Sequence, residues 1–119
     1  MPDSTNYESA LAHQLAMNKE TWAALQQHGL TDQSKVRLDF TYLAPSRDAA
    51  NALEQFLRDD SDYDLSVQSQ GSFFRKTWTV TGTTQETAVF PEVLDQWVTW
   101  MVAAGRQHQC KFDGWGTSV

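Results

Sequence analysis

The apolar residues of this chain change their spacing repeatedly, from every third or fourth residue to every second and back. That alternation limits the architecture more than any other feature. Tyr7, Leu11, Leu15, Trp22 and Leu25 recur at helical intervals between Tyr7 and His28, and Gly29 follows as a C-terminal stop. From Lys35 the period shortens: Val36, Leu38, Phe40 and Tyr42 alternate with Arg37, Asp39 and Thr41, as in a half-buried strand that Pro45 ends. Ser46 is placed to cap a second helix, with Asp48 in its first turn and Ala49, Ala50, Leu53, Phe56 and Leu57 along one side, closing near Asp59. Tyr63, Leu65 and Val67 alternate again. Gln70-Gly71 reads as a turn into Phe74, Trp78 and Val80, so these strands form a hairpin that Gly82 ends. A third helix opens either at Thr83, with Glu86 completing a capping box, or at Pro91. It carries Val93, Leu94, Trp97, Trp100, Met101 and Ala104 on one face and stops at Gly105-Arg106. A last strand, His108 to Asp113, runs into Asp113-Gly114-Trp115-Gly116.

After the leading helix, the order strand, helix, strand, strand, helix, strand is that of the split βαβ arrangement. The expected class is α+β, a ferredoxin-like βαββαβ core whose four-stranded antiparallel sheet carries its helices on one face, preceded by an extra N-terminal helix. The expected organisation is one domain over 1–119, with the N-terminal helix in 1–30 and the core in 33–119. Val36, Leu38, Phe40, Leu65, Val67, Trp78, Val80, Cys110 and Phe112 fall on the face under the helices. Arg37, Asp39, Thr41, Ser66, Gln68, Arg75, Thr77, Thr79, Gln109 and Lys111 fall on the other, which is polar enough to face water.

At 119 residues and 40% hydrophobic, the chain buries a core without metals or disulfides. A net charge of −6 repels nucleic-acid phosphate and favours basic partners. Cys110 is the sole cysteine, the first residues show no basic flank leading into an apolar run, and no stretch is long enough to span a bilayer. These features point to a reduced, cytoplasmic protein.

No convergent set of nucleophile, base and orienting group emerges, and no phosphate loop, dinucleotide fingerprint or zinc-protease motif is present. His108 and Cys110, two apart, invite a thiolate with its base or half of a metal site; in register with Phe112, Cys110 reads more simply as a small buried hydrophobe. His13 and His28 lack ligand spacing. Asp59, Asp60, Asp62 and Asp64 lack the central glycine and closing glutamate of a calcium loop, and read as a solvated acidic loop or a contact for a basic partner. No catalytic, cofactor or metal residues are therefore assigned. SFFRKTWTV, residues 72 to 80, interleaves aromatic and basic side chains, so Phe73, Arg75, Arg37 and Lys111 on the open face form the alternative reading of a single-stranded RNA platform. A small enzyme using His108 or Cys110 is a further alternative. Trp22, Trp97 and Trp100 lie on helix stripes and Trp78 on the inward strand face, as core residues do. Trp115, bracketed by glycines, is either a plug at the end of the last strand or a recognition ring.

The ending KFDGWGTSV resembles the terminal-strand signature of the regulator of ribonuclease E activity B (RraB) family, carried here by Asp113, Gly114, Trp115 and Gly116. The likeness extends through NKETWAALQQHGLTD and LAPSRDAANAL in the family's order and spacing. The resemblance implies a ferredoxin-like fold and a noncatalytic bacterial cytoplasmic protein that binds ribonuclease E or its scaffold and inhibits or modulates its cleavage. Asp59, Asp60, Asp62, Asp64, Asp113 and Trp115 are the expected partner-binding residues. Some members of that family continue into a long acidic tail, and no contact made by such a tail is carried over.

Overall fold

The computed structural model describes residues 2–31, 33–72 and 75–117. Its helices are α1 (Pro2–Gln27), α2 (Arg47–Asp60) and α3 (Pro91–Gln107). Its strands are β1 (Lys35–Val36), β2 (Asp39–Ala44), β3 (Asp64–Ser72), β4 (Arg75–Thr83), β5 (Thr87–Ala88) and β6 (Lys111–Gly116). β3, β4, β2 and β6 form, in that order, a four-stranded sheet in which every neighbouring pair is antiparallel. β1 and β5 pair separately.

Local chemistry sets the helix ends. The Ser46 hydroxyl accepts from the Ala49 N–H at 3.1 Å and opens α2, and Ser61 closes it by donating to the Leu57 carbonyl at 2.6 Å. α3 opens at Pro91, where a missing N–H costs nothing, and not at Thr83, which ends β4. α1 ends as its stop glycine predicts: Gly29, at φ 95°, donates to the Gln26 carbonyl and Leu30 to the Leu25 carbonyl.

Gly105 has a different duty from the expected one. It lies inside α3 and is buried, because a Cβ there would stand 2.7 Å from Cε1 of Tyr42 and 2.8 Å from the Cys110 carbonyl. The helix stops two residues later, where Gln109 takes the left-handed conformation (φ 63°) and the Gln109 and Cys110 N–H groups donate to the Arg106 and Gly105 carbonyls. His108, Gln109 and Cys110 therefore form a helix cap, and the last strand starts at Lys111.

Three other strand boundaries move. The expected continuous strand from Lys35 breaks at Arg37-Leu38, because the Leu38 N–H donates to the Thr84 hydroxyl (3.0 Å) while the Thr84 N–H donates to the Leu38 carbonyl (2.9 Å). Gln70-Gly71 is not the turn: Gly71 pairs with Lys76 and Ser72 with Arg75, and Phe73 and Phe74 lie outside the described residues. Gly82 does not end β4 but lets the rings and methyls of Phe40 and Leu65 close over it.

Phe40, Tyr42, Val80 and Phe112 on the sheet pack against Leu53 and Leu57 of α2 and Val98 and Met101 of α3. A smaller cluster of Leu38, Val89 and Leu94 joins the paired β1 and β5 to α3, with Trp22 of α1 against it. Burying apolar area at about 25 cal/mol per Å² is the main source of stability here. Tyr42, fully buried, donates its hydroxyl to the Met101 carbonyl at 2.6 Å, and burial raises its pKa. Trp100 departs from the core expectation: 38% exposed, it stacks on Phe56 at 5.9 Å on the outer surface between α2 and α3.

Candidate functional site

The glycine-bracketed tryptophan is explained by a shift of register. Tyr42 faces Phe112 and Phe40 faces Trp115, whereas Thr41 faces Gly114, so Asp113 and Gly114 together stand against one residue of β2. This is a β-bulge, and Gly114 meets its conformational demand at φ 141°. Phe112 and Trp115, three apart in sequence, consequently both face the helices, which strict alternation forbids. Gly116 has no positive φ, and a Cβ there meets nothing within 4 Å.

Two helices converge on the Trp115 ring of β6. Its Nε1–H donates to Oδ1 of Asn18 in α1 at 2.7 Å, and Nδ2 of Asn18 donates to Oδ1 of Asp95 in α3 at 3.1 Å. Trp97 of α3 meets the ring edge to face, centroids 6.3 Å apart. One turn before Asn18, Gln14 donates to the Phe112 carbonyl at 3.3 Å. Gln14 and Asn18 are buried polar residues at 6% and 3% exposure, and each is satisfied by the strand it covers. Trp115 is half-buried and fixes α1, α3 and β6 to one another. Neither Asn18 nor Gln14 was singled out from sequence, since a polar residue within a helical stripe carries no signature of its partner.

The other motif glycines and acids separate. Asp113 is exposed on the sheet face opposite the helices, with Asp39 and Asp64 on the same face. Asp59 and Asp60 end α2, and Asp62 and Asp64 lead into β3, all exposed, so a single corner of the molecule carries these carboxylates. Asp59 accepts from Gln55 at 2.9 Å, and Arg37 approaches Asp64 at 4.0 Å across open solvent, a weak pair. The aromatic surface of Phe56 and Trp100 adjoins this corner along α2, because Asp59 and Asp60 follow Phe56 by three and four residues. Exposure of Trp100 was missed because a helical stripe defines a face without saying how much of it neighbours cover.

Among the described residues, the His108 and Cys110 side chains do not hydrogen-bond to each other. Cys110 is buried beside the Ala49 and His108 carbonyls, and desolvation pushes its thiol up to about 11, so the thiolate a nucleophile needs is disfavoured. The His108 ring lies against Phe56 at 5.1 Å. A recess of about 600 Å³ between α1 and the start of β6 is lined by Tyr7, Gln14, Val102, Arg106, Cys110 and Phe112, and Arg106 stacks over Tyr7 at 4.7 Å. Among the described residues no three His, Cys, Asp or Glu side chains gather as metal ligands. Of the RNA platform, only the Arg37 and Lys111 side chains fall among the described residues. Arg37 lies between β1 and β2 and turns to Asp64 and Gln85, Lys111 stands on the far strand, and Phe73 and the Arg75 side chain lie outside the described residues.

These features define an α+β protein whose candidate site is a charged and aromatic surface. The chain belongs to the family of regulators of ribonuclease activity B, whose model matches residues 15–117, most of its length. No curated protein matches it. No helix among the described residues is long and apolar enough to cross a membrane.

Proposed function

We propose that this chain is a noncatalytic regulator that binds ribonuclease E by protein contact and lowers its cleavage. The family match over residues 15–117 carries this reading. The strand order β3-β4-β2-β6 within a βαββαβ core supports a ferredoxin-like fold, and the single buried thiol supports a cytoplasmic setting. The contact surface is the acidic corner of Asp59, Asp60, Asp62 and Asp64, with Asp113 on the sheet face. Exposed carboxylates on a chain of net charge −6 steer a basic segment of the partner toward this corner. Trp115 serves the interface by holding β6, which presents Asp113, and its own ring is committed to Asn18 and Trp97.

Replacing the four corner aspartates by lysine tests the reading. Binding to purified ribonuclease E is expected to weaken at least roughly tenfold, to lose its salt dependence, and to leave the thermal melt unchanged. Unaltered affinity removes the corner from the interface, and failure of the native chain to bind or slow the nuclease overturns the regulator reading.

A further inference from the structure

The β3 edge of the sheet is bare. Among the described residues, no hydrogen bond outside the β3–β4 ladder reaches the main chain of residues 64–72. The ladder runs for nine residue pairs without a register shift, and β3 contains neither proline nor lysine, the usual devices that discourage an edge from pairing. Gln68 to Gly71 are all exposed. Because β2 pairs with β4 only from Trp78 onward, the Gln70–Thr77, Gly71–Lys76 and Ser72–Arg75 pairs project beyond the rest of the sheet.

We infer that β3 pairs antiparallel with β3 of a second copy of this chain, joining two sheets across a two-fold axis. Two observations favour a copy of itself over a foreign strand. The exposed β3 residues are Asp64, Ser66, Gln68, Ser69, Gln70 and Gly71, none of them an apolar side chain that would select a particular foreign sequence. The strand is also complementary in charge along one row of a sheet face: Asp64 opens β3, and Ser72 at its far end pairs with Arg75 of β4. Antiparallel pairing sets the acidic end of each copy beside the basic end of the other. The register that overlaps all nine residues places Gln68 opposite Gln68 of the second copy and Asp64 opposite Ser72. An amide at the axis both donates to and accepts from its own image.

Sedimentation equilibrium over a concentration series tests this on the full chain. The native protein is expected to approach twice its monomer mass, and Gln68→Lys, which sets like charges directly opposite, to weaken the dimer roughly tenfold while circular dichroism stays native. In the same register, oxidised Gln68→Cys forms a covalent dimer, because facing strand positions lie within disulfide range, and Gln70→Cys, facing Ser66, does not. A native chain that stays monomeric overturns the inference. So does a dimer indifferent to Gln68→Lys, or one cross-linked through Gln70→Cys and not through Gln68→Cys.

Discussion

β6 and β3 are the two edges of one sheet, and they are finished in opposite ways. β6 carries a bulge at Asp113-Gly114, has a main-chain carbonyl taken by Gln14, and lies under α1 through Asn18 and Trp115. β3 keeps one pairing register for its whole length, and among the described residues no main-chain hydrogen bond reaches its outer edge. An edge strand left with free main-chain groups recruits another strand, so a fold must cover it, distort it or use it. Here the first two devices are spent on one side. The conspicuous motif of the sequence marks the closed edge, and the plain, polar DLSVQSQGS marks the open one.

Substitutions at the two edges should therefore differ in kind. Trp115→Ala is expected to have the largest effect, about 3 kcal/mol of stability, read as a fall of roughly 10–15 °C in melting temperature, because it removes a large ring and its hydrogen bond from a three-element junction. A melt near that of the native chain would show that the closed edge does not depend on its ring. Gly114→Ala should cost about 1–2 kcal/mol through backbone strain at positive φ. Gly116→Ala, with free space and no special φ, should stay within about 0.5 kcal/mol, so equal costs at both glycines would refute the bulge as the source. Asn18→Ala should cost about 1 kcal/mol by leaving Nε1 of Trp115 without its partner. Gln68→Lys on the open edge should change monomer stability by less than about 0.5 kcal/mol in urea unfolding.

The closed edge also titrates. Cys110, immediately before β6, has its pKa moved from 9.0 to about 11 by burial. The folded state thus holds the proton more tightly than the unfolded chain. The contribution is intact below pH 9 and is lost as pH rises toward 11, with Tyr63, also raised by burial, acting in the same direction. Melting temperature should fall on the alkaline side, and Cys110 should react slowly with thiol reagents at neutral pH. Fast reaction in the native state would contradict its burial.

Much of this was legible in the sequence where the cause is local. Ser46 and Gly29 act on main-chain groups three or four residues away, so the start of α2 and the end of α1 follow from short stretches. Periodicity likewise separated the three helices from the strands. Errors arose where a glycine or an aromatic serves a distant partner. Gly105 was read as a stop because its close neighbour, Tyr42, is far away in sequence, and Gln109 ends the helix although most residues avoid that conformation. Thr84 interrupts the strand at Leu38 with a side-chain hydroxyl that mimics a ladder partner, which no alternation pattern reports. For the site, the acidic corner was visible as charge, whereas the Trp100–Phe56 pair beside it emerged only once the two helices were placed.

The clasp between Asn18 and Trp115 also orders events during synthesis. α1 is synthesised before β6, so the helix first exists without the strand it covers. In that interval the amides of Gln14 and Asn18, which interrupt its apolar stripe, have only water to bond. When β6 arrives, those same amides turn inward, and the first helix and the last strand close the fold together across 97 residues of sequence.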